Sequence, residues 1–120
     1  MAIDFDIDDR VIDGETHVIA VRGEIDLFTA PEFKQRVAAP IDAGRRHVVV
    51  DLTNTTFIDS SSLGVLIGAH RRLRRNGGAL VIVCSHEAIL KTFRITGLDS
   101  VFTIVGTLAD ARHRDAVGTG

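Results

Sequence analysis

Phe57-Ile58-Asp59-Ser60-Ser61-Ser62-Leu63-Gly64 sets three consecutive hydroxyls behind a carboxylate, where apolar chain gives way to a helix. Just before it, Val48-Val49-Val50-Asp51-Leu52 is short, apolar and β-branched, the composition of a strand covered on both faces. Just after it, Leu63, Leu66, Ile67 and Leu73 recur on one face of a helix predicted over 60–76, which Asn76-Gly77-Gly78 stops. The stretch is a strand-to-helix junction with chemistry gathered on it.

Downstream, residues 79–84 are another fully apolar strand, and Ser85 is expected to cap a helix carrying Ile89, Leu90 and Phe93 that ends at Gly97. Residues 101–105 form a short last strand, and Thr107 caps a final helix. Upstream, Ile3, Phe5 and Ile7 alternate with Asp4, Asp6 and Asp8, the period of an edge strand whose wet face is acidic against unwanted pairing. Asp13-Gly14 turns the chain into a second strand at 17–21, completing a hairpin. Thr29-Ala30-Pro31-Glu32 has the form of a capping box with an early proline. The helix it opens carries Phe33, Val37 and Ile41 on one stripe, and Pro40 predicts a kink or an end before Gly44. Strands and helices alternate after the hairpin, which requires crossover connections and a largely parallel sheet.

A chain of 120 residues, 45 % hydrophobic and 25 % charged, suits one globular domain over 1–120. No apolar run reaches the length that spans a bilayer, and Met1-Ala2-Ile3-Asp4 does not open a signal peptide, so a cytoplasmic location is expected. The net charge of −2 lacks the basic balance of a nucleic-acid binder. A single cysteine, Cys84, makes no internal disulfide and reads as a small buried hydrophobe. His17, His47, His70, His86 and His113 show no metal spacing. Arg71, Arg72, Arg74 and Arg75 read as a solvated helix end near the negative pole of the dipole.

At the junction, Ser60 is expected as the N-cap or a first-turn residue. Helix N-termini leave N–H groups unpaired, and a phosphoryl group on Ser60 would be received by them. Simple capping by Asp59 or Ser60 is the competing reading. Three hydroxyls exceed what one cap needs. Gly64 and Gly68 add a cost of about 1 kcal/mol each within the helix, which implies close approach by the sheet beneath or by a partner above.

Five blocks in order and spacing resemble the anti-sigma-factor antagonists, the single-domain members of the STAS family. They are Gly23-Glu24-Ile25-Asp26 with Thr29-Ala30-Pro31; Val49-Val50-Asp51-Leu52; residues 57–66 around the junction; Leu80-Val81-Ile82-Val83-Cys84; and residues 89–98 followed by Val101-Phe102. The resemblance implies an α/β STAS fold, a mixed and mostly parallel sheet in the order β-β-α-β-α-β-α-β-α with helices packed on one side. It implies an antagonist that binds an anti-sigma factor of the GHKL serine-kinase type, releases a sigma factor, and is inactivated when Ser60 is phosphorylated. A metal-dependent serine/threonine phosphatase would reverse the modification. The contact surface implied is Glu24, Asp26 and Thr29 on one loop with Asp59, Ser60, Ser61, Ser62 and Gly64 on the other. The family usually has glycine where this chain has Ser62, so Ser61 and Ser62 stand as rival acceptors.

No Gly-rich loop followed by Lys-Ser/Thr is present, so the resemblance leaves ATP and its metal to the partner, with no cofactor in this chain and no catalysis by it. A serine hydrolase would need a base beside its nucleophile, and no Gly-x-Ser-x-Gly occurs. The rival within the fold is a STAS subunit of a lipid-transport ATPase or of a stress-signalling assembly.

Overall fold

The computed structural model describes residues 5–112. Ile3 and Asp4 of the predicted first strand, and His113, lie outside them. The elements are β1 (Asp6–Ile12), β2 (Thr16–Ile25), α1 (Ala30–Asp42), β3 (His47–Ile58), α2 (Ser60–Arg75), β4 (Ala79–Val83), α3 (Glu87–Ile95), a 3-10 turn (Leu98–Ser100) and β5 (Thr103–Val105). Residues 108–112 add a last helical turn. The sheet runs β1-β2-β3-β4-β5 in sequence order. β1 and β2 are antiparallel, and the other pairs are parallel.

The hairpin turns on Asp13 and Gly14, both at positive φ (55° and 75°). That is the conformation whose twist matches the flanking strands, and Asp-Gly adopts it cheaply. β3 is twice as long as its apolar run suggested, because Thr53 to Ile58 continue to pair with the second half of β2. Two register shifts separate the halves, and at the second Gly23 sits at φ 96°, a backbone that a side chain would strain. The buried Thr55 hydroxyl donates to the Val21 carbonyl at 2.9 Å beside the first shift. A polar residue in an apolar strand position is thereby satisfied.

Adjacent residues of β3 serve opposite faces. Val48, Val50 and Leu52 pack under α1, α2 and α3, whose Phe33, Val37, Leu66, Leu73 and Phe93 are fully buried. Val49 belongs to a second cluster with Val18, Val81, Val83 and Ala111. Helices on one side is therefore the arrangement of α1–α3 only. The turn at 108–112 covers the other face, because the strands are apolar on both and both must leave water. α1 runs two residues past Pro40 and ends before Gly44. Ser85 does not cap α3. His86 precedes its first residue in an extended conformation and its carbonyl receives the first helical bonds, so the helix starts beyond the serine's reach. Thr107 does cap, accepting from the Asp110 N–H at 3.1 Å.

Candidate functional site

β2 and β3 are parallel and end together, with Ile25 opposite Ile58. The chain thus leaves the sheet twice at one place, first into loop 26–29 and then into α2, and an aspartate anchors each exit.

On the first exit, the Asp26 carboxylate accepts from the Phe28 N–H (2.9 Å) and the Thr29 N–H (3.1 Å). The Thr29 hydroxyl accepts from the Asp26 N–H at 2.9 Å and donates to the Glu24 carbonyl at 2.9 Å. Thr29 precedes α1 but makes no side-chain cap, contrary to its capping-box sequence. Its hydroxyl is turned back and committed to the loop instead. Glu24, Asp26 and Thr29 are thereby one knot.

On the second exit, Asp59 is the N-cap of α2. One carboxylate oxygen accepts from the Ser61 N–H (3.0 Å), the Ser62 N–H (3.2 Å) and the Ser61 hydroxyl. These bonds, the Ser61 hydroxyl foremost, hold the Asp59 carboxyl below its usual range, and partial burial opposes them. Ser62 closes the box: its hydroxyl accepts from the Asp59 N–H at 3.3 Å and donates to the Ile25 carbonyl at 2.7 Å. It is completely buried.

The three hydroxyls therefore differ. Ser62 is enclosed and spent, Ser61 is half-buried and bonded to Asp59, and Ser60 is exposed at the first helical position. Among the described residues none hydrogen-bonds the Ser60 side chain. In the unmodified chain Asp59 already holds the N–H groups of Ser61 and Ser62, and its carbonyl holds that of Leu63 at 3.1 Å, so a phosphoryl on Ser60 would compete with Asp59 for the first two. Capping falls to Asp59, which leaves Ser60 to face outward.

Beside Ser60 the surface is apolar. Leu27 is 71 % exposed and Phe28 88 % exposed on the loop that Asp26 and Thr29 hold rigid. Leu27, Pro31, Lys34, Ser61, Gly64 and Val65 line one depression there. It passes into a groove between α1 and α2 whose walls include Val37, Ile41 and Ala69. A Cβ built on Gly64 or Gly68 meets nothing within 4 Å. The sheet does not approach these glycines, so packing inside the chain gives no return for their helical cost of about 1 kcal/mol each. Leu27, Phe28 and Lys34 escaped the sequence reading. The signal was two large apolar residues side by side in a turn otherwise built of Asp26 and Thr29.

Elsewhere, Arg72 bonds Asp42 at 2.6 Å across α1 and α2, while Arg71, Arg74 and Arg75 end α2. His70 stands edge-on to Phe102 at 5.7 Å. Burial and the charges of Arg74 and Arg71 push its pKa down, and no described group makes it a base for Ser60. Cys84 is buried, and burial pushes its thiol up. Among the described residues no three His, Cys, Asp or Glu side chains gather as a metal site, and no helix is long and apolar enough to cross a membrane.

Residues 6–111 match the family model of the STAS domain, and the chain belongs to that family. It is 36 % identical over 107 residues to the anti-sigma-B factor antagonist of Listeria monocytogenes, covering 87 % of this chain and 90 % of that one. It is 31 % identical over 86 residues to the anti-sigma-B factor antagonist of Staphylococcus aureus, covering 72 % of this chain and 80 % of that one. In three dimensions it resembles an anti-sigma factor antagonist from Mycobacterium paratuberculosis with a TM-score of 0.85, at 29 % identity over 92 % of each chain.

Proposed function

We propose that the chain is an anti-sigma-factor antagonist that acts in the cytoplasm by binding, not catalysis. Its unmodified Ser60 face docks on an anti-sigma factor and displaces a sigma factor. The anti-sigma factor, a GHKL-type serine kinase, switches it off by phosphorylating Ser60. A serine/threonine phosphatase restores it. The observation that carries the reading is the division of labour among the hydroxyls: Asp59 and Ser62 build the helix start, and Ser60 is left exposed next to the loop that carries Leu27 and Phe28.

In the transfer, the Ser60 hydroxyl attacks the γ-phosphorus of ATP on the kinase, a new O–P bond forms, the bond to the β–γ bridging oxygen breaks, ADP leaves, and the hydroxyl proton passes to solvent or a kinase base. The product carries about −1.5 to −2 charges. It lies next to the Asp59 carboxylate, whose helical N–H donors are already used. The new charge therefore stays at the interface, where an apolar partner surface would have to desolvate it. Binding is lost without refolding.

The test is affinity capture from cells of the source organism with Ser60→Ala and Ser60→Asp baits. The alanine bait is expected to retain a GHKL-type ATP-binding protein that the aspartate bait loses. Retention of a transport ATPase or a large signalling assembly by both would move the function elsewhere within the family.

A further inference from the structure

The site leaves the groove between α1 and α2 without a role. We propose that it seats a helix of the anti-sigma factor, laid along Gly64 and Gly68 with an apolar stripe inward and a carboxylate toward Lys34. This rests on the antagonist reading above and extends its interface two helical turns beyond Ser60.

Three observations carry it. First, the groove is mainly apolar, with half-buried Ala38 on α1 and Val65 on α2 at its surface above the buried Val37, Ile41 and Ala69. Its floor is open above Gly64 and Gly68, which lie one turn apart. Helices approach most closely where the residues between them are small, so this floor admits a third helix against α2. Second, the groove continues the proposed interface. Lys34, Gly64 and Val65 line both it and the depression that holds Leu27 and Ser61. A partner element resting beside Ser60 runs into it directly. Third, the charges are uneven. Arg72 at the far end is held by Asp42 at 2.6 Å, whereas among the described residues no carboxylate pairs with the exposed Lys34 midway along. An occupant that is apolar with one acid satisfies both the walls and that ammonium.

The experiment titrates the purified chain and its variants into the anti-sigma factor retained by the Ser60→Ala bait, by calorimetry, with thermal melts and sedimentation velocity of each variant alone. Gly68 is about 12 Å along the helix from Ser60, so its substitution leaves the phosphoacceptor end untouched. Gly68→Leu is expected to melt no lower than the wild type and to bind about tenfold more weakly, because its side chain fills the space of the incoming helix. Gly68→Ala, the milder variant, is expected to melt higher yet still bind more weakly, a combination that a purely structural glycine would not give. Lys34→Glu is expected to weaken binding, with the difference shrinking at high salt.

Wild-type affinity in both Gly68 variants, with binding lost in Ser60→Asp, would overturn the groove proposal and leave the antagonist reading standing. Wild-type affinity in Ser60→Asp as well would remove both. Self-association of the chain that Gly68→Leu abolishes, without change in affinity for the anti-sigma factor, would assign the groove to a second copy and overturn the proposal.

Discussion

The Ser62 hydroxyl donates to the Ile25 carbonyl across 2.7 Å, although 37 residues separate them. The same oxygen accepts from the Asp59 N–H at 3.3 Å. One buried side chain therefore ties the end of β2 to the start of α2, and with them the two halves of the candidate surface. A glycine at this position would have no such donor and would leave the two exits untied.

Removing that tie should cost stability. Ser62→Ala leaves a buried carbonyl and N–H without their partner, a loss of about 1–2 kcal/mol. Ser62→Gly should lose somewhat more, through the added backbone freedom of glycine. Urea unfolding checks both as a lowered midpoint at unchanged slope. An unchanged midpoint in Ser62→Ala would mean that the bond contributes nothing.

The same enclosure bears on the proposed phosphorylation, because it withdraws Ser62 from solvent. A kinase must reach the hydroxyl oxygen, and Ser62 is completely buried while Ser60 is exposed. Incubation with the cognate kinase and ATP should label Ser60 in the wild type and Ser61→Ala, and nothing in Ser60→Ala. Phosphopeptide mapping decides it, and label on Ser61 or Ser62 would overturn the assignment.

The order of elements, the parallel sheet and the junction were legible because apolar runs and turn residues are strong local signals. The second half of β3 was not. Thr53 to Thr56 are polar and are held as strand only by pairing with β2, a partner far off in sequence. Thr29 and Ser85 were misread as caps for a related reason: a hydroxyl before a helix fits several roles, and the surrounding backbone chooses among them. The apolar half of the candidate site was invisible because Leu27 and Phe28 look like core residues until the fold shows them exposed. The covering of the second sheet face by Ala111 depends on tertiary packing that no local pattern reports.

Asp59 makes the junction acid-sensitive. Its folded pKa lies below the unfolded value of 3.8. The stability it contributes is thus fully present above the unfolded pKa and is lost as pH falls through the folded one. Asp59→Asn should cost less than about 1 kcal/mol near neutrality, since asparagine is itself a good N-cap. The difference in unfolding free energy between wild type and variant should shrink as pH drops below about 4. Denaturant titrations at neutral and acid pH measure it. A difference that grows toward acid would show that the carboxylate is not the stabilising form.

Phe28 separates binding from folding. At 88 % exposure it contributes little to the core, and Phe28→Ser should change stability by less than about 0.5 kcal/mol. An aromatic side chain held on a rigid loop beside Ser60 is, however, the kind of residue that anchors an interface, and its loss should weaken binding of the anti-sigma factor by about 2 kcal/mol or more. Ile95 is the control. It is also strongly exposed, at 74 %. But α3 starts from the same ends of the parallel strands as α2 and runs back along the sheet, which places Ile95 at the opposite end of the domain from Ser60. Ile95→Ser should therefore bind as the wild type. Equal losses from both variants would mean that exposed apolar area in general drives association; a loss from Phe28→Ser alone puts the contact on the loop that Asp26 and Thr29 hold in place.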